Sequence, residues 1–270
     1  MIKIAFFNQK GGVGKTTSVV NLAATFARRL KKSVLVVDCD SQMTATNYLL
    51  TYTDYQYSIE DYFDSDYYDK RSISSIITNA KIKTSLNRDE FEQSKIDVLP
   101  SYSGIETLPI NDIYDYKNLL EPVESKYDYC FFDLPPHLSG ASLSALVSCN
   151  WVIVPAHADT DSLSGYDYLI DTITEIRNKG YNLKLNVLGV LFNDVNTQRM
   201  IQKHILKSSY KDMTDSLFKV YIKSASAIEQ ARYMGIPLPY VSLNRKINDD
   251  YEKLAKEIVK RIKEMENRNA

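Results

Sequence analysis

The residues best placed to do chemistry stand near the N-terminus, in the run NQKGGVGKTT at positions 8–17. Gly11, Gly12 and Gly14 let the backbone turn tightly and aim several N–H groups at one anion, and a helix opening at Thr16 adds the positive end of its dipole. Such a cradle suits phosphate. Lys15 would reach the β- and γ-phosphates of a nucleotide, and the Thr16 hydroxyl would ligate a magnesium ion. Lys10, Val13 and Thr17 complete the binding loop. The run departs from the usual Gly-x4-Gly-Lys-Ser/Thr pattern in one respect: Gln9 stands where the first glycine belongs, and Lys10 puts a second cation on the opposite lip.

Phosphoryl chemistry also needs carboxylates, to hold the metal's water shell and to orient an attacking water. Two stretches offer them. In VLVVDCDSQ, Asp38 ends an apolar run and Asp40 follows two residues later; in YDYCFFDLPP, Asp133 ends a second run before Pro135 and Pro136 stop it. Strand ends are where ligands of open α/β sheets collect. Either aspartate alone would pass for a turn or capping residue, but together, behind a phosphate loop, they point to a metal site.

Elements must hold these residues, and the apolar pattern supplies them. Strand-length runs occur at Ile2–Phe7, Ser33–Asp38, Ile96–Leu99, Tyr129–Asp133, Trp151–Pro155 and Leu185–Phe192, and Leu217–Ile222 has strand character too. Several are continuously apolar, as in strands buried on both faces. Helical periodicity fills Thr16–Leu30, Ser162–Asn178, Thr197–Ser208, Ala225–Met234 and Asp249–Glu266. Alternation of the two predicts one α/β domain over residues 1–270, with a mostly parallel, twisted sheet of seven or eight strands and helices on both faces. No internal repeat is evident.

Composition bounds the function. Lys plus Arg is 33 against 34 Asp plus Glu, so bulk charge does not favour nucleic acid. Its distribution is uneven. Residues 51–69 hold six tyrosines and six acids with no Lys or Arg, and read as a surface excursion that would repel DNA; residues 199–270 hold 15 basic and 9 acidic residues. Cys39, Cys130 and Cys149 have neither disulfide nor metal-ligand spacing, no apolar run approaches membrane-spanning length, and no signal peptide is evident. A cytoplasmic protein is expected.

QKGGVGKTT, VLVVDCDSQMTAT, IDVLPSYSGIETL, YDYCFFDLPPHLSGASLSAL, WVIVPAHADTDSLSGYDYL and IEQARYMGIPL occur in this order from residue 1 to about 240. In these motifs the chain resembles the ParA/MinD family of deviant phosphate-loop ATPases, and within it the ParA (Soj-like) plasmid and chromosome partition proteins. The resemblance implies a P-loop NTPase-type fold, ATP and ADP with Mg²⁺ as cofactors, and slow ATP hydrolysis that times the separation of an ATP-bound homodimer. It gives Lys10 the phosphates of the partner subunit's ATP, Asp40 the attacking water, Asp38 and Asp133 the support of Mg²⁺, and Asn193 the adenine. Departures are Ser41, where the family commonly has proline, and His137, where a small polar residue is usual; His137 is assigned no role.

Family members of this kind bind DNA without sequence preference and answer to a ParB-like partner, so a nucleoid-associated location is implied. Lys203, Lys207 and Lys211 recur every four residues, and Lys219, Lys223, Arg232, Arg245 and Lys246 follow. Lys203, Lys207, Lys223 and Arg232 are the expected DNA contacts, although Ser226 occupies the position of the family's DNA-contacting arginine. The competing class is a MinD-like membrane-associated ATPase, which needs an inserting amphipathic C-terminal helix. Here Tyr251, Leu254, Ile258, Ile262 and Met265 form one stripe, but the ending lacks bulky apolar and basic residues, so the helix is expected to pack on the domain. An electron-delivering ATPase would need cluster-bridging cysteines, and a dethiobiotin-synthetase-like ligase would leave Lys10 and the Asp-Cys-Asp unexplained.

Overall fold

The computed structural model describes residues 1–63, 72–159, 164–213, 216–241 and 243–269. The strands are β1 (Ile2–Phe6), β2 (Val34–Asp38), β3 (Thr78–Lys83), β4 (Phe91–Leu99), β5 (Tyr129–Asp133), β6 (Trp151–His157) and β7 (Asn186–Asn193). They form one sheet in the order β3-β4-β2-β5-β1-β6-β7. Every pairing is parallel except that of β3 with β4. The helices are α1 (Lys15–Arg28), α2 (Thr44–Leu49), α3 (Glu60–Phe63), α4 (Ile73–Ile76), α5 (Asp115–Leu120), α6 (Gly140–Val147), α7 (Ser164–Asn178), α8 (Met200–Asp212), α9 (Ser226–Tyr233) and α10 (Arg245–Asn269).

Alternate residues of each central strand enter two different cores. Ile4, Phe6, Val34, Val36 and Phe131 pack with Val19, Leu22 and Phe26 of α1 and with Tyr251, Leu254, Ile258 and Ile262 of α10. Ala5, Phe7, Leu35, Val37, Cys130 and Phe132 pack on the other face with α5, α6 and α7. Both faces are therefore covered, which is why these strands read as unbroken apolar runs. The three cysteines are free and buried.

The hairpin of β3 and β4 is not evident from the apolar runs. β3 is TNAKIK, in which only Ala80 and Ile82 are buried, and β4 begins five residues before the apolar run that marks its end. At the opposite edge, Leu217–Ile222 is not a strand. It meets β7 only at its two ends, through the Val190–Leu217 bridge and the Ile222 N–H donating to the Phe192 carbonyl, because between them the Lys219 and Val220 N–H groups donate to the Glu257 carboxylate instead of to β7. Of the Tyr-rich excursion, residues 64–69 lie outside the described residues, as do the first two residues of the helix expected at Ser162–Asn178.

Candidate nucleotide site

β1 delivers the chain to the centre of the sheet, and the loop that follows carries the glycines. Gly12 (φ 76°) and Gly14 (φ 84°) occupy left-handed conformations that a side chain would strain, and a Cβ on Gly14 would lie 2.9 Å from Asn193 Nδ2. Gly14 directly precedes α1, so the first N–H groups of that helix open toward the loop.

Lys15 folds back under the loop, donating to the Asn8 carbonyl at 3.0 Å and the Lys10 carbonyl at 3.3 Å. Burial lowers the pKa of its ammonium, while Asp133 and Asp40 pull it back up. A phosphate beside it would supply the missing counter-charge. Thr16 and Thr17 line the same cleft, whereas the Val13 side chain is buried in the protein and only its backbone belongs to the loop.

The carboxylates arrive on neighbouring strands, with Asp38 of β2 and Asp133 of β5 side by side in register. Asp38 is fully saturated. Its Oδ2 accepts from the Thr46 N–H and hydroxyl, both at 2.8 Å, and its Oδ1 accepts from the Asp40 N–H at 3.1 Å. Burial nonetheless raises its pKa to about 6, with those hydrogen bonds opposing the shift. Asp133 is the contrast: both of its oxygens are buried and have no hydrogen-bond partner. Burial first, then the Asp38 charge, push its pKa well above the ordinary carboxylate range, against opposing pulls from the Thr16 side chain and Lys15. An unpartnered buried carboxylate beside a threonine hydroxyl offers the oxygen donors that fit a hard divalent cation, with Lys15 placed for the phosphates rather than for the metal. Asp40 stands further out on the cleft wall, its Oδ1 accepting from the Gln42 N–H at 2.9 Å.

The cleft is about 380 Å³ and is lined by the glycines of the loop, Lys15, Thr16, Thr17, Asp40 and several residues that motif reading does not supply: Ser41, Gln42, Thr44, Tyr48, Glu106, Pro136, His137 and Arg232. Ser41 and Gln42 follow Asp40 directly, and Pro136 and His137 follow Asp133, so adjacency to the aspartates was the available signal. Tyr48 comes from α2, and Glu106 and Arg232 from a distant turn and helix; the last two lie inside the motifs quoted above, but nothing in their spacing ties them to the cleft. Of the expected DNA contacts, Arg232, in the last turn of α9, lines the cleft beside Tyr48, whereas Lys203, Lys207 and Lys223 are exposed residues outside the lining.

Of the expected nucleotide and metal residues, five lie outside the lining: Val13, Asp38 and Asp133, placed above, and Lys10 and Asn193. Lys10 turns away from the loop, and its Nζ is 3.0 Å from Asp159 Oδ2. Asn193, at the end of β7, is 6% exposed and staples the loop from behind: its Nδ2 donates at 3.0 Å to both the Val13 carbonyl and the Ser18 hydroxyl. Asn193 Oδ1 is buried without a partner.

A glycine loop between the first parallel strand and its helix, with acids ending the two adjacent strands, defines a phosphate-loop nucleotide-binding fold. The AAA domain family (AAA_31) matches residues 1–188, and the chain belongs to that family, in its ParA/MinD group. It is 29% identical over 264 residues to the chromosome-partitioning ATPase Soj of Treponema pallidum, covering 96% of this chain and 97% of that one. Its fold is similar to the McdA(D38A)-ATP complex of Cyanothece, with a TM-score of 0.76 and 17% identity over 96% of both chains. It is similar as well to the septum site-determining protein MinD of Pyrococcus horikoshii, complexed with Mg-ADP, with a TM-score of 0.73 and 21% identity over 95% of both.

Proposed function

We infer that the whole chain is one ATPase domain acting as an ATP-dependent dimerising switch, with slow Mg-ATP hydrolysis, in plasmid or chromosome partition. The observation that carries this reading is a buried Lys15 beneath the glycine loop together with a buried Asp133 carboxylate beside Thr16 whose oxygens have no hydrogen-bond partner. A cation for the phosphates and an open carboxylate for the metal are what a triphosphate and Mg²⁺ require. Thr16 and Asp133 would hold Mg²⁺, with Asp38 supporting it from a distance; bound there, the ion would neutralise charge on the phosphates. Lys15 binds the chain's own phosphates, Asp40 orients the attacking water, and Asn193 Oδ1 offers an acceptor to the adenine amino group.

Lys10 supports the dimeric form of the reading. Its ammonium is held by Asp159 and does not line the chain's own cleft, so its use on phosphate fits a neighbouring subunit's nucleotide. DNA association is assigned to the exposed cations Lys203, Lys207 and Lys223, with a ParB-like protein as the stimulating partner. A MinD-like membrane role is less consistent with α10, whose apolar stripe of Tyr251, Leu254, Ile258 and Ile262 is already buried against α1 and the sheet. No helix among the described residues is long and apolar enough to cross a membrane.

The test measures retention of the protein on DNA with ATP, ADP and no nucleotide at two salt concentrations, beside co-sedimentation with liposomes. ATP-dependent, salt-sensitive retention on DNA is the expected result. Binding to liposomes alone would overturn the partition reading.

A further inference from the structure

Ser41 and His137, two residues of the cleft lining, meet on one side chain. The Ser41 hydroxyl donates to Glu106 Oε1 at 2.7 Å, and His137 Nε2 lies 3.2 Å from Glu106 Oε2. Both contacts hold the Glu106 pKa below its usual value, the Ser41 hydroxyl more strongly than His137. All three residues line the nucleotide cleft, and they come from three different loops. Ser41 follows Asp40 after β2, and His137 belongs to the loop that leaves Asp133 and β5. Glu106 sits in a short 3₁₀ turn, Ile105–Thr107, after β4, which is pinned to the core by buried Ile105 and Leu108.

The segment leading to that turn already grips the Asp40 loop at two other points. The Ser101 hydroxyl donates to the Asp40 carbonyl at 3.0 Å, and its N–H donates to the Thr46 hydroxyl that in turn holds Asp38. Glu106 is the only one of these links that also reaches the loop beyond Asp133, among the hydrogen bonds of the described residues at this cleft. An exposed bridge of this kind contributes little to global stability. What it can do is fix the spacing of two loops whose aspartates must act on the same phosphate, and catalysis is sensitive to sub-ångström errors in such spacing.

We propose that Glu106 is a positioning residue for ATP hydrolysis, which clasps Ser41 and His137 and so sets the loop of Asp40 against the loop of Asp133. The clasp rests on the reading of this cleft as an ATPase site. Substitution should therefore lower turnover while sparing both folding and nucleotide affinity, since Glu106 acts on the reacting groups through other residues.

The experiment compares the full chain with Glu106→Ala, Glu106→Gln, Ser41→Ala, His137→Ala and the double variant Glu106→Ala/His137→Ala. Thermal stability, affinity for a fluorescent ATP analogue and steady-state Mg-ATP turnover are measured on each. Glu106→Ala should lower kcat about tenfold, with melting temperature unchanged and affinity within about twofold. Glu106→Gln, which keeps an oxygen for one arm, should lose less, and Ser41→Ala and His137→Ala should each lose part of the effect. The double variant should turn over no more slowly than Glu106→Ala, because both changes break the same clasp. Unchanged kcat in Glu106→Ala beside an active wild-type protein overturns the clasp alone, as does a double variant whose losses multiply. A wild-type chain that binds no ATP and hydrolyses none overturns the ATPase reading itself.

Discussion

Lys15 and Lys203 carry the same ammonium group into opposite surroundings. Lys15 is 8% exposed, tucked beneath a glycine loop and aimed by two carbonyl oxygens. Lys203 stands exposed on α8, one of a series with Lys207 and Lys211. The first site is geometric: burial makes its one cation costly to hold without a counter-charge, and no neighbouring residue can take its place. The second, in the proposed function, is statistical: several solvated cations of similar reach would share the contact with DNA, each through counterion release rather than through position. On the proposed function the molecule pairs a centre intolerant of change with a surface that tolerates it, since with serine at position 226 exposed cations still stand at 203, 207 and 223.

The sharpest way to break this contrast is at its rigid end. Lys15→Ala should weaken ATP binding about 100-fold or more, read by titration with a fluorescent nucleotide, since a charge-assisted contact to phosphate is removed from a buried site. Retained affinity would mean that the loop's N–H groups suffice and that the site is less exacting than its geometry.

Lys10→Ala and Asp40→Ala probe the step after binding. Both should bind ATP as the wild type does and lose most turnover, by roughly two orders of magnitude each. They should diverge in assembly: Asp40→Ala is expected to accumulate a long-lived ATP dimer in size-exclusion chromatography. Full turnover in Lys10→Ala would remove the cross-subunit assignment.

The buried acids set a pH dependence. The folded-state pKa of Asp38 is raised from 3.8 to about 6, so the folded chain holds that proton more tightly than the unfolded one. Its contribution to stability is complete below the unfolded value and is lost as pH rises through about 6; Asp133 shifts in the same direction. The melting temperature of the nucleotide-free chain should fall across that window, and Asp133→Asn should flatten the fall. A flat profile in the wild type would contradict the burial of the pair.

At the tolerant end, Lys203→Ala or Lys207→Ala should each weaken DNA retention only a few-fold and lower the salt slope by about one. Loss of all retention from either change would make this surface as exacting as the phosphate loop.

The sequence carried the centre of the molecule and was silent at its edges. β1, β2, β5 and β6 are legible because both faces of each are buried, leaving continuous apolar runs. β3 is half polar because it is an edge strand with one covered face, so its pattern is diluted. The run at 217–222 misleads for the converse reason: Leu217, Phe218 and Ile222 are buried, yet a carboxylate of α10 takes the Lys219 and Val220 N–H groups that a continuous ladder would need. Within the site, the glycine loop and its aspartates announce themselves through local spacing. Glu106 and Arg232 lie in recognisable motifs, but their place in the cleft is not legible, since each reaches it from a turn or helix remote in sequence.

The amino-acid sequence alone determined the phosphate loop, the acids that end β2 and β5 and the parallel sheet that carries them. Each of these depends on local conformational freedom or on an apolar periodicity that survives without knowledge of neighbours. Tertiary structure alone decided which of those acids is saturated and which is open, where Lys10 points, which face of α9 meets the cleft, and that Ser41 and His137 share Glu106. These are questions of which distant groups come within hydrogen-bonding reach, and only the packing of helices on the two faces of the sheet fixes the answer.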